Sequence, residues 1–186
     1  MQPSEVGLLG LGLTGEVRLE AIYPNRRALP RDTWLSLLGS AVHEIDILAR
    51  SGLFLAKEPG VLDALAGRAR DGVRVRICLR DPDRPVTAEP GVGEGADDAG
   101  AAGIRQALAL FGQLRTSACV KIRLHRAVLY NSIYRSDDQV LISQHAYGVA
   151  DERAPVLYLR SAADGDLFTT YLDAFDRIWA GALAQE

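Results

Sequence analysis

Within Val128 to Gly148, the run VLYNSIYRSDDQVLISQHAYG, polar groups recur at sheet spacing inside an apolar segment, and their types suit ligand binding or proton transfer. Successive side chains of a strand point to opposite faces, so Tyr130, Ser132 and Tyr134 share one face and Asn131, Ile133 and Arg135 the other. A turn at Asp137-Asp138 sets Tyr130 opposite His145 and Ser132 opposite Ser143, with facing Cβ atoms about 5 Å apart. A slip of one residue undoes that grouping. Two phenols, a hydroxyl and an imidazole are hydrogen-bonding groups that recognise sugars, bases and phosphates. An imidazole with an ordinary pKa of ~6.5 is also a serviceable base at neutral pH, whereas a phenol near ~10 is a poor nucleophile. His145, beside Tyr147 and Gly148, is therefore the one catalytic candidate, and only if the protein is an enzyme. Arg80, at the carboxyl end of a strand where open α/β sheets bind ligands, and Arg126, beside His125, are the expected partners of an anion. Arg76, on the polar face of the same strand as Arg80, reads as a solvated surface charge.

These residues need a sheet to hold them, and the chain supplies its strands and helices in alternation. Val17 to Tyr23 reads as a strand ending at Pro24-Asn25, and Asp32 as the N-cap of a helix through about Val42. Glu44 to Ala49 reads as a short strand and Gly52 to Ala56 as another. Pro59 and Gly72 frame a helix at Val61 to Asp71. Val73, Val75, Ile77 and Leu79 alternate with Arg74, Arg76, Cys78 and Arg80, which is the pattern of a strand. Asp81 to Gly100, with Pro82, Pro85, Pro90 and four glycines, reads as a long loop. A helix at Ala101 to Arg115 and a strand at Val120 to His125 lead into the opening hairpin. Pro155 to Arg160 is a further strand, and Asp166 to Leu183 a closing helix with Leu167, Phe168, Tyr171, Leu172, Phe175, Ile178 and Trp179 in its apolar stripe. The expected class is α/β, a sandwich of a mixed, largely parallel sheet flanked by helices. Residues 1–16 are expected to be a leader or linker remnant and 17–183 a single domain.

Composition narrows the function. A chain of 186 residues, 48% hydrophobic, can bury a core of ordinary size. Its net charge of −3 gives no global attraction to a polyanion, so direct nucleic-acid binding is not expected. Met1 to Gly15 lacks a basic stretch and is too short and glycine-broken to span a bilayer, so the expectation is a cytoplasmic protein without a membrane partner. Cys78 and Cys119 have no CxxC spacing and read as reduced core residues. His43, His125 and His145 stand at no metal-ligand spacing, so no metal is expected. Gly10, Gly12 and Gly15 satisfy GxGxxG, but a strand follows them where a nucleotide site needs a helix, and no cofactor is implied.

With the hairpin and element order in hand, the chain resembles a single-repeat member of the phospholipase D-like superfamily, whose signature is HxKxxxxD followed by GSxN. Without gaps, the histidine of that pattern falls on Tyr130, the lysine on Ser132 and the aspartate on Asp137; Gly-Ser falls on Gln144-His145 and the asparagine on Tyr147. The resemblance implies a scaffold that has lost the phosphoryl-accepting histidine and the phosphate-holding lysine, and it adds Asp137 and Tyr147 to the ligand contacts Tyr130, Ser132, Tyr134, His145, Arg80 and Arg126. About Val17 to Ala182 is also similar to a domain of unknown function that follows helix-turn-helix domains in actinobacterial transcriptional regulators, through LEAIYPNRRALP, GLFL, GVRVRICLRDPD, IRLHRAVLYNSIYRSDDQVLISQHAYG and the aromatic closing helix. The implied function is a ligand-sensing or regulatory domain for a small phosphorylated, nucleotide-like or sugar-like molecule, paired as a homodimer. The alternative is a divergent hydrolase or transferase using His145.

Overall fold

The computed structural model describes residues 18–30, 32–84, 96–161 and 166–185. The expected leader 1–16, with Gly10, Gly12 and Gly15, and most of the expected loop 81–100 lie outside the described residues. The strands are β1 (Arg18–Tyr23), β2 (Glu44–Ala49), β3 (Arg74–Arg80), β4 (Val120–His125), β5 (Asn131–Ser136), β6 (Gln139–Gln144), β7 (Val156–Arg160) and β8 (Leu183–Ala184). The helices are α1 (Thr33–Gly39), α2 (Leu53–Lys57), α3 (Val61–Arg70), α4 (Ala96–Gly112) and α5 (Asp166–Gly181).

Among the described residues, all eight strands join one mixed sheet in the order β1-β7-β6-β5-β2-β3-β4-β8. Parallel pairing is confined to β2-β3 and β3-β4, where helical connections return the chain to the same end. The other pairings are antiparallel, because hairpins and short returns join β5, β6 and β7 and bring β1 and β8 to the edges. Two successive crossovers of one hand, stepping in one direction, put their helices on one face. That face carries the larger core, with Leu37 and Leu38 of α1, Leu55 of α2, Leu65 of α3 and Phe111 of α4 packed on Ile45, Ile47, Ile77 and Leu79. α5 covers the opposite face with Phe168 and Phe175, against Leu48, Cys78, Ile133 and Ile142.

Several boundaries depart from the sequence reading for local reasons. Asp32 stands at the N-cap of α1 but makes no side-chain capping bond. α1 ends at Gly39 rather than near Val42, because the amides of Val42, His43 and Glu44 turn to the Asp137 carboxylate at 2.6, 3.0 and 2.8 Å. The segment after Gly52 is a single helical turn and not a strand; Gly52 sits at φ +67°, which bends the chain off β2, and a Cβ there would lie 3.0 Å from Leu79 Cδ2. The closing helix ends at Gly181, and Leu183, its last expected residue, instead begins β8, which pairs with β4.

Arg76 is not a solvated surface charge, because α5 covers its face of the sheet. It grips the buried Asp46 carboxylate through Nε at 2.6 Å and Nη2 at 2.9 Å, and reaches Asp176 of α5 at 2.7 Å. Arg135 Nη1 adds a contact to Asp46 at 3.0 Å and Arg135 also pairs with Glu44, which in turn meets Arg74. The Arg76 guanidinium lies 4.6 Å from the centre of the Phe175 ring, so the charged ladder and the apolar stripe of α5 interlock.

Candidate functional site

The β5–β6 hairpin has the register expected of it. Asp137 and Asp138 form the two-residue turn, with Asp137 in the left-handed region at φ 49°, and Ser132 pairs with Ser143. One step beyond the ladder, the His145 amide donates to the Tyr130 carbonyl at 2.9 Å. This fixes two strand ends side by side at the end of the sheet where β2, β3 and β4 also finish.

His145 is held at both ring nitrogens. Nδ1 lies 3.0 Å from the Leu129 carbonyl and Nε2 3.0 Å from Ser132 Oγ. A carbonyl oxygen only accepts, so Nδ1 carries the proton in the neutral ring and Nε2 offers its lone pair to the Ser132 hydroxyl. Tyr134, two residues on, shares the face of Ser132. Its ring is locked edge-on against Trp34 at 5.0 Å and Phe54 at 5.8 Å between centroids. Burial pushes its phenol up to about 12, so the hydroxyl stays protonated at any physiological pH.

A cleft of about 150 Å³ opens above Ser132 and Tyr134, and His145, which touches Ser132, is not among its lining residues. Ser132, Tyr134 and Ser143 contribute from the sheet, and Arg50, Ser51 and Gly52 from the turn that follows β2. Arg26, from the short helical turn after β1, and Asp151, from the turn before β7, complete its charged lining. Arg26 stacks its guanidinium 3.7 Å from the centre of the Phe54 ring, and Arg50 approaches Asp151 at 3.4 Å. Ser143 is only 3% exposed and its hydroxyl meets no hydrogen-bond partner among the described residues. Such a group costs about 1–3 kcal/mol of desolvation unless something bonds to it.

No family model matches the chain, and no curated protein matches it. Solved structures do. Nuc from Salmonella typhimurium, a phospholipase D family member, superposes with a TM-score of 0.56 at 18% identity, covering 92% of this chain and 98% of its own. NucT from Helicobacter pylori gives 0.58 at 12% identity, over 91% of this chain and all (100%) of its own. The fold is phospholipase D-like. TrmBL2, an archaeal chromatin protein with a novel mode of DNA binding, carries the same architecture at a TM-score of 0.58 and 13% identity; its match covers 96% of this chain, which spans 57% of the TrmBL2 chain.

On this phospholipase D-like sheet the expected site residues separate into groups. Ser132, Tyr134 and His145 are brought together. Tyr130 and Tyr147 stand out into solvent, 80% and 79% exposed, and do not line the cleft. Asp137 is at the opposite end of the hairpin: the seven residue-to-residue steps from Tyr130 to Asp137 span roughly 23 Å of strand, so a pattern of that length cannot put both ends into one small site. Its carboxylate receives backbone amides instead. Arg80 alternates onto the α5 face of β3, opposite the cleft, and lines no part of it. Arg126 pairs with Asp81 at 3.0 Å. Burial works against the Asp81 carboxylate, but the Asp83 amide and the Arg126 guanidinium outweigh it and hold its pKa below the ordinary value.

Arg26, Arg50, Ser51, Ser143 and Asp151 are the polar lining groups that the sequence did not nominate. Arg50 carried a usable signal, since it directly follows the carboxyl end of a parallel strand. Arg26 and Asp151 carried none, because short turns far apart in the chain bring them together. Among the described residues no group of three or more His, Cys, Asp or Glu side chains is placed to hold a metal ion, and no helix is long and apolar enough to cross a membrane.

Proposed function

We propose that this is a ligand-sensing or regulatory domain on a phospholipase D-like scaffold, in which the cleft floored by Ser132, Tyr134 and Ser143 takes the anionic end of a small molecule. The observation that carries this reading is the Ser143 hydroxyl: buried, lining the cleft, and without a hydrogen-bond partner among the described residues. A ligand oxygen placed there satisfies it. Arg26 and Arg50 lie along the same lining and supply the positive charge, while Asp151 can accept from a ligand hydroxyl. The volume of about 150 Å³ is well below the ~300–1,000 Å³ of pockets that enclose a drug-sized ligand, so one polar end enters and the remainder stays outside. Tyr130 and Ser132 stand where the family pattern has its histidine and lysine, which favours recognition over that family's chemistry.

The test is a thermal-shift and calorimetric screen with inorganic phosphate, nucleotides, phosphorylated sugars and neutral sugars. Stabilisation by an anionic class is expected, weakened about tenfold or more in Arg50→Gln and in Ser143→Ala. A screen in which no class stabilises the protein, or in which both variants respond like the parent, removes the reading.

A further inference from the structure

We propose that Ser132 and His145 are a nucleophile and its base, and that they hydrolyse a carboxylic ester carried by an anionic molecule seated in the cleft. This rests on the binding reading above for the seating of the substrate, and adds a reaction to it. The Leu129 carbonyl fixes the proton of the neutral imidazole on Nδ1, so Nε2 faces Ser132 Oγ at 3.0 Å as an acceptor. A hydroxyl with its proton already directed at a base, and a base oriented from behind by a third group, is the arrangement that activates a weak oxygen nucleophile. Ser132 lines the cleft and is 4% exposed, so attack takes place away from bulk water.

The electrophile follows from what faces Ser132. Across the hairpin stands Ser143, a neutral hydroxyl donor stripped of solvent and lacking a partner among the described residues. A neutral donor in a dry site suits a carbonyl oxygen that gains a single negative charge as it becomes tetrahedral. Arg26 and Arg50 line the same space and fit an acidic group elsewhere on the substrate.

The reaction balances without a further reagent. Ser132 Oγ bonds to the carbonyl carbon while its proton passes to His145 Nε2. The carbon–oxygen bond to the alcohol then breaks, and the departing oxygen takes the proton from Nε2. Water attacks the acyl carbon, giving its proton to Nε2, which returns it to Ser132 Oγ as the carboxylic acid leaves.

The full chain is incubated with para-nitrophenyl acetate and with the anionic mono-para-nitrophenyl ester of succinic acid, following nitrophenolate release and mapping acylation by peptide mass. Acylation confined to Ser132 is expected, faster with the anionic ester, abolished in Ser132→Ala and slowed ~10²-fold or more in His145→Gln. Melting curves report whether each variant is folded, and the acylation map of the parent protein needs no substitution. No acylation of Ser132 in the parent, or acylation at an equal rate in folded His145→Gln, overturns the proposal. If inorganic phosphate or a nucleotide still stabilises the protein in that case, the couple fails and the binding reading stands; if neither is seen, both fall.

Discussion

Asp46 holds two guanidinium groups from inside the sheet, and its removal leaves Arg76 with only the exposed Asp176 and Arg135 with only Glu44 as acidic partners. Asp46→Ala is expected to lower stability by about 3–5 kcal/mol, seen as a lower urea midpoint with little change in slope. Asp46→Asn keeps the shape but not the charge and is expected to fall between the two. Cys78 gives a second residue-scale expectation: burial pushes its thiol up to about 12, against a smaller opposing pull from Arg123. A thiolate reagent should therefore modify half-buried Cys119 in the native protein and reach Cys78 only on unfolding. The burial of Cys78 as a reduced core residue was legible in the sequence, whereas the role of Asp46 was not. In β3 the alternation of Arg74 and Arg76 with valine and isoleucine is legible as a strand, but whether its polar face is wet depends on where α5 docks, which no local pattern states.

Elements were more legible than the contacts between them. The β5–β6 hairpin could be placed in register because a two-residue turn and strict alternation leave one consistent pairing. The stripe of α5 was equally plain, since Phe168, Tyr171, Leu172, Phe175 and Trp179 recur at helical spacing. β8 was missed because two residues carry no periodicity, and α2 was taken for a strand because one helical turn shows an apolar run and nothing else. α5 is held by ring burial as well as by charge, with Phe175 almost fully buried and stacked on Trp179 at 5.9 Å. Phe175→Ala is expected to lower stability by roughly 3–5 kcal/mol, and Phe175→Leu by much less, as measured by chemical denaturation. The hairpin turn is tied to the start of β2 by the Asp137 carboxylate. Asp137→Ala should cost about 2 kcal/mol through the charged hydrogen bonds it loses. Asp137→Gly relieves the positive φ while losing the same bonds, so the difference between the two variants reads the backbone term directly.

At the scale of the molecule, acid should weaken the fold in two separate windows. His125 is almost fully buried at the end of β4, and burial, helped by the charge of Arg80, lowers its pKa from 6.5 against the opposing Ala49 and Ala127 backbone contacts. The unfolded chain therefore binds a proton more readily than the native one. Stability is unaffected well above pH ~6.5, falls as the pH drops from there toward the native pKa, and then levels off. His125→Gln should flatten that part of a stability-against-pH curve. Asp81 acts in a lower window, because its native pKa is depressed and its contribution is lost only as the pH falls below the ordinary carboxylate value. The candidate site divides in the same way between what is near and what is far in the chain. Ser132, Tyr134 and His145 were legible because one hairpin holds them, whereas Arg26, Arg50 and Asp151 meet only once β1, β2 and β7 are in the sheet.

That division makes the hairpin transplantable. Ser132 and His145 are 13 positions apart and joined by a hydrogen bond, and the Leu129 carbonyl that orients the imidazole belongs to the same stretch. Residues 128–148 exchanged as one cassette into another sheet of this architecture would carry the hydroxyl–imidazole pair with them. Arg26 and Arg50 would stay behind, so such a chimera separates the inheritance of the proposed reactivity from the inheritance of substrate charge.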